Sequence, residues 1–253
     1  MPLEIVTVPC LSDNYAYLLR DAATGQVGLV DAPEAGPIAA ALAERDWKLD
    51  LILITHHHAD HIQAVDALRG SAKVVGNAAD RRRLPRLDVE VAPGDRVALG
   101  ESVAEVIDVP GHTVGHVAYW FAAAEALFSA DSLMVMGCGR LFEGTAEQMW
   151  ESLSRMAALP DATLVYSGHE YAAANARFAL SVDGENVALK TRAAEIAARR
   201  EKGQPTVPAR LDLERRTNPF LRARDADLKS RLGLENLPDA QVFAEIRRRK
   251  DAF

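Results

Sequence analysis

Four histidines and an aspartate fall within seven residues, Thr55-His56-His57-His58-Ala59-Asp60-His61. Imidazole and carboxylate at this density are a metal-ligand set without thiolate, which suits zinc, iron or manganese. The spacing sorts them. On an extended segment, positions two apart point the same way, so His56 and His58 can share one ion while His57 faces elsewhere. Asp60 and His61 open a stretch with helical periodicity, residues 60–68, and need not point with the other two. Two directions from one stretch suggest two adjacent ions.

The elements that must position these groups are legible. Leu51-Ile52-Leu53-Ile54 is a short apolar run, read as a buried strand that ends at the histidines. Open α/β sheets place their chemistry at such carboxyl ends. Three further candidates sit in the same way. His112 follows a strand at Val103–Val109, Asp131 follows one at Ala126–Ser129, and His169 follows one at Thr163–Ser167. Five of the seven histidines therefore stand just past strand ends, with two aspartates. Seven ligands are more than one closed structural site uses, so open positions remain for water and substrate. Two divalent ions about 3.5 Å apart can hold a bridging hydroxide at neutral pH. His57 and His116 are left for structural or ligand-orienting roles.

The rest of the chain frames that site. Strands are expected at Glu4–Val8, Tyr15–Leu19, Val27–Asp31, Lys73–Val75, Val97–Leu99 and Val117–Phe121. Helices are expected at Pro37–Trp47 and Thr145–Leu159. This mixture gives an α/β class (α+β layers), two sheets packed together with helices outside. Arg81-Arg82-Arg83 reads as a solvated face. After residue 170 the pattern is helical, at Tyr171–Leu180, Asn186–Lys202, Asp225–Leu232 and Ala240–Arg249, with no strand evident. Asn186 is the expected N-cap and Gly203 the C′ residue of the second. A catalytic domain over 1–170 and a helical domain over 171–253 follow.

Composition narrows the class. With 49% hydrophobic and 26% charged residues, the 253-residue chain can bury a core. Its formal charge of −7 argues against nucleic acid as the main partner. There is no apolar run of about 18 residues to span a membrane. Residues 1–9 lack the basic and apolar regions of a secretory leader. Cys10 and Cys138 form no C-x-x-C pair, so free thiols in a reducing, cytoplasmic compartment are expected.

The run T-H-H-H-A-D-H, followed by Gly111-His112-Thr113, Ser129-Ala130-Asp131 and Ser167-Gly168-His169, resembles the metallo-β-lactamase superfamily. That resemblance implies an αββα sandwich with a dinuclear site. His56, His58 and His112 would hold one ion, Asp60, His61 and His169 the other, and Asp131 would bridge. A closer resemblance, to glyoxalase II (hydroxyacylglutathione hydrolase), rests on five further runs. They are Asp13-Asn14-Tyr15, Gly137 to Thr145, Gly168-His169-Glu170-Tyr171, Asn218-Pro219-Phe220-Leu221-Arg222 and the terminal Arg247 to Phe253.

It implies hydrolysis of S-D-lactoylglutathione to D-lactate and glutathione, the second step of methylglyoxal detoxification, by a monomer carrying two divalent ions, with zinc first and iron or manganese as alternatives. Asp60 and Asp131 would be the catalytic carboxylates. Arg140, Phe142, Tyr171, Arg247 and Lys250 would contact the glutathione thioester. Phe142 stands where the family often has a tyrosine, so one hydroxyl contact is missing. Ala59 replaces a frequent aromatic residue, and Ile62-Gln63-Ala64 replaces glycines. Arg247 and Lys250, three apart on one helix face, could grip a carboxylate. A glutathione persulfide dioxygenase with one iron, or a lactonase of the same fold, are the alternative activities.

Overall fold

The computed structural model describes residues 2–253. They form two compact units, one of residues 2–108 and 115–130, the other of residues 109–114 and 131–253.

The first unit begins with β1 (Leu3–Cys10), β2 (Asn14–Asp21) and β3 (Val27–Val30). After α1 (Ala35–Glu44) come β4 (Leu51–Leu53), α2 (Ala59–Ile62), α3 (Val65–Leu68), β5 (Lys73–Asn77) and β6 (Val89–Val91). The six strands form one sheet in chain order. β1, β2 and β3 pair antiparallel, and β3 to β6 run parallel. A second set, β7 (Arg96–Leu99), β8 (Ser102–Asp108), β9 (Val117–Phe121) and β10 (Ala126–Ala130), is an antiparallel meander.

The period-2 alternation of β2 decides which face meets what. Ala16 and Leu18, with Leu29, Ile52 and Val74, bury against Ile38, Leu42, Ile62 and Leu68 of the helices. Tyr17 points the other way and meets Phe128 of β10, ring centroids 5.4 Å apart. The two sheets of this unit therefore pack face to face with helices outside one of them, as the sequence led us to expect.

The expected helix over 60–68 is broken at Gln63 and Ala64. The Ala64 amide donates to the Ala32 carbonyl, and the Asp60 carbonyl accepts from Asn14 Nδ2. Both partners of the bond that would continue the helix are therefore used elsewhere. The Arg81–Arg83 run is exposed, in a turn after a short 3-10 segment, with Arg83 paired to Asp80.

The second unit contains the hairpin β11 (Leu133–Met134) and β12 (Gly137–Cys138), α4 (Ala146–Ala157), β13 (Leu164–Ser167), α5 (Ala172–Asp183) and α6 (Val187–Glu201). β14 (Ala209–Arg210), α7 (Leu211–Thr217), α8 (Ala226–Leu232) and α9 (Asp239–Asp251) complete it. The expectation of no strand after residue 170 is corrected by β14, which pairs antiparallel with β13. Two residues carry no period of their own; only the partner makes them a strand. Asn186 caps α6 by accepting from the Leu189 amide, and Gly203 follows its end at φ +66°. Thr145 and Gln148 form a capping box on α4. Phe178, Phe220 and Phe243 are fully buried and in ring contact at 6.0 and 5.8 Å, joining α5, the 219–224 run and α9. No helix among the described residues is long and apolar enough to cross a membrane.

Candidate metal centre

In the first unit, β4 delivers the histidines. The chain stays bonded past Leu53: the Ile54 amide donates to the Val75 carbonyl of β5, and the Thr55 carbonyl accepts from the Val117 amide at the start of β9. His58 then lies on extended backbone as the N-cap of α2, which starts at Ala59. Asp60 and His61 are on that helix. The two directions expected of the stretch are thus two backbone conformations. His57 turns away, its Nδ1 2.9 Å from Asp80 Oδ2. His116 stacks on His56, 4.6 Å apart and 10° from parallel.

Buried Asp31 organises this half. Its Oδ1 accepts from the Thr55 amide at 2.9 Å, and its Oδ2 from the Thr55 hydroxyl and His61 Nδ1, both at 2.8 Å. A hydroxyl has one proton, and the Thr55 proton goes to Asp31. Thr55 Oγ1 must therefore accept from His56 Nδ1, 3.0 Å away. Both imidazoles then carry hydrogen on Nδ1 and present the Nε2 lone pair. That tautomer can bind a metal through Nε2, and it is fixed by carboxylate and hydroxyl partners. Asp31, His56 and His61 also cluster as a possible three-ligand group. Asp31 is already taken by three donors, so it serves as the orienting carboxylate. Asp60 is fixed by Asn14, whose Nδ2 donates to its Oδ2 at 3.0 Å and to its carbonyl. Neither Asp31 nor Asn14 was singled out as a site residue from sequence. The one signal for Asp31 was an acidic residue ending an apolar strand.

In the second unit, Asp131 Oδ2 lies 3.3 Å from His112 Nε2 and 3.2 Å from His169 Nε2. His112 Nδ1 donates to the Arg140 carbonyl at 2.9 Å, so its Nε2 offers a lone pair towards the carboxylate. Two electron-rich atoms at this separation fit neighbouring ligands of one cation, each about 2 Å from it. The donor chemistry of both units thus fits divalent metal ions.

The loop carrying His112 is tightly seated. Phe142 donates its amide to the His112 carbonyl, Val114 donates to Glu143, and Ser152 donates to the Pro110 carbonyl. Gly139 has no space for a side chain. A Cβ there would fall 2.0 Å from the Asp131 carbonyl oxygen and 3.0 Å from His112 Nδ1. Gly139→Ala should therefore lose metal and destabilise the protein by about 1–3 kcal/mol, the range for overpacking. Thermal unfolding with a metal count checks this; a stable, fully loaded variant would show that the loop tolerates displacement.

The expected substrate contacts all lie in the second unit. Phe142 is exposed and edge-on to His112 at 5.3 Å. Tyr171, 40% exposed, stacks on His169 at 4.7 Å. Arg140 is exposed. Lys250 Nζ donates to the Ala174 carbonyl and lies over the rings of Phe178 and Phe253. Burial, with help from Arg247, Arg177 and Arg140, lowers its pKa to about 8. Arg247 is buried, with Nη1 on the Cys138 carbonyl and Nη2 on Asp251. Burial pushes the Cys138 thiol up to about 11. It stays protonated and outside the ligand set.

Comparison with known proteins agrees with these features. The metallo-beta-lactamase superfamily model matches residues 12–169, and the model for the hydroxyacylglutathione hydrolase C-terminus matches residues 170–253. The chain is 61% identical to the hydroxyacylglutathione hydrolase of Ruegeria pomeroyi, with 100% of each chain covered. It is 49% identical to that of Methylococcus capsulatus, with 99% of each covered. Among solved structures, ETHE1 from Myxococcus xanthus is similar at TM-score 0.66 and 31% identity, covering 100% of this chain and 99% of that one. TTHA1623 in a di-iron-bound form is similar at TM-score 0.63 and 25% identity, covering 86% of this chain and all of the other.

Proposed function

This chain belongs to the hydroxyacylglutathione hydrolase (glyoxalase II) family of the metallo-β-lactamase superfamily, and we propose that it hydrolyses S-D-lactoylglutathione to D-lactate and glutathione at a two-metal centre. The observation that carries the substrate class is the helical tail, residues 170–253, which matches the hydrolase C-terminus.

In this reading His56, His58 and His112 hold one divalent ion and Asp60, His61 and His169 the other, with Asp131 shared. Zinc suits the imidazole and carboxylate donors; iron and manganese are the alternatives. Three features support it: the Nδ1-protonated tautomers of His56 and His61, the placement of Asp131 Oδ2 beside two Nε2 atoms, and the di-iron form of a solved relative. Such ions, when bound, lower the pKa of water to about 7 and polarise a carbonyl oxygen.

The residues do the rest. Asp60, held by Asn14, orients the attacking water. The leaving thiol has a pKa of about 8.5 and departs as thiolate, so no general acid is required. Phe142 and Tyr171 give apolar walls beside the reacting centre. Arg140, Arg247 and Lys250 supply positive charge to the glutathione carboxylates. A monomer in a reducing, cytoplasmic compartment suits the two buried free thiols, Cys10 and Cys138. The direct test is loss of thioester absorbance when purified protein meets S-D-lactoylglutathione; failure to turn it over while opening a lactone would overturn the assignment.

Lys250 gives a second test. Lys250→Ala should raise KM for glutathione thioesters about tenfold with kcat little changed, because its contact is remote from the carbonyl. Its ammonium is present below about pH 8 and lost above, so wild-type KM should climb as pH passes 8. The effect on folding has its own sign. The folded state binds this proton less tightly than the unfolded chain, so this group's contribution to stability grows as pH rises from about 8 towards 10.5. A flat KM profile matched by an unaffected Lys250→Ala variant would remove this lysine from the substrate site.

A further inference from the structure

The run Asn218-Pro219-Phe220-Leu221-Arg222 has no part in the chemistry above, yet its first residue is fully buried. Asn218 Nδ2 donates to the carbonyls of Met134 and Gly137, at 3.3 and 3.0 Å. Both belong to the β11–β12 hairpin. The same hairpin is held by three more buried tail side chains. Asn175 Nδ2 donates to the Val135 carbonyl at 3.0 Å, and Glu214 Oε2 accepts from the Met136 amide at 3.0 Å. Arg247 Nη1 donates to the Cys138 carbonyl at 3.1 Å. Four side chains thus engage five backbone groups of a six-residue segment, 133–138, the two Nδ2 protons of Asn218 being shared among three acceptors.

The holders are themselves fixed. Glu214 pairs with Arg192 and accepts from Asn218 Nδ2 at 3.0 Å. The Arg247 guanidinium lies 5.1 Å over the Phe220 ring. Met136 sits at φ +56°, a left-handed conformation that L residues disfavour and that surrounding contacts must maintain.

The base of the hairpin carries the site. Asp131 lies just before it. Gly139 closes it, donating to the Ser132 carbonyl, with no room for a Cβ against Asp131 and His112. The next carbonyl, of Arg140, accepts from His112 Nδ1. A displacement of the hairpin moves both the carboxylate and the group that fixes the imidazole tautomer.

We infer that Asn218, Asn175, Glu214 and Arg247 are positioning residues for the metal centre: the helical tail sets the placement of Asp131 and His112 by gripping the backbone of 133–138. The inference rests on the proposed ligand roles of those two residues. It gives Arg247 a task beyond charge, since both its Nη atoms are engaged within the chain.

Two measurements test it. Asn218→Ala and Asn175→Ala, each checked for fold by circular dichroism, should bind zinc about 10–100-fold more weakly in competition with a chelator, the effect of losing a ligand-orienting partner. Their kcat should fall with KM near wild type, and the visible spectrum of the cobalt-loaded protein should change. Folded variants with wild-type zinc affinity, spectrum and kcat would overturn the inference. The second measurement needs no variant. Zinc added to stripped wild-type protein should slow hydrogen exchange of the Met136 amide, because hairpin and site order together. Unchanged exchange at full zinc occupancy would overturn the inference even if neither variant folds. A wild type that hydrolyses no glutathione thioester but shows both metal effects would sink the proposed activity and leave this role standing.

Discussion

Asp131→Ala should lose both metal ions and lower thioester hydrolysis far beyond the roughly 100-fold that marks loss of a mere orienting partner. The carboxylate stands 3.2–3.3 Å from two imidazole nitrogens on different loops. Its removal takes away the one negative charge that lies beside both nitrogens. The site would then have neither its central ligand nor enough charge to offset two divalent ions. Metal content and kcat measured on one preparation check this. A variant that keeps two ions and wild-type turnover would remove Asp131 from the centre.

The second large effect belongs to a residue outside the ligand set. Asp31→Asn keeps the shape but turns an amide nitrogen towards two donors, or leaves a buried amide facing the Thr55 backbone N–H. The wild-type carboxylate satisfies three donors at once. An unsatisfied buried donor costs about 1–3 kcal/mol, so the melting temperature should fall by several degrees. His61 would lose the acceptor that fixes its tautomer, and His56 the hydroxyl orientation that fixes its own. Metal affinity should fall about 10–100-fold. Chelator competition beside thermal unfolding separates the two effects, and unchanged metal affinity would show that the tautomers are set by something else.

These residues mark how far the sequence could be read. The candidate ligand motifs stand out in the sequence because each is short and follows an apolar strand, so local spacing alone carries the signal. The split of the 55–61 stretch into extended and helical halves was legible for the same reason. Asp31 was not, because what gives it a role is the approach of Thr55 and His61 from 24 and 30 residues away. The break at Gln63 and Ala64 was invisible since its cause is competition from Ala32 and Asn14 for the helix's own bonding groups. β14 has no periodicity to read. The spacing of Arg247 and Lys250 puts both on one face of α9; the burial of Arg247 against Cys138 and Phe220 depends on long-range packing. Spacing gives a helix face, but not whether that face meets solvent or a loop.

The most direct test is a metal titration of chelator-stripped protein, following hydrolysis of S-D-lactoylglutathione as zinc is returned. A two-metal thioester hydrolase gives a rate that rises to a plateau at two equivalents per chain. A plateau at one equivalent, or no thioester turnover together with oxygen uptake on glutathione persulfide by an iron-loaded form, would contradict it.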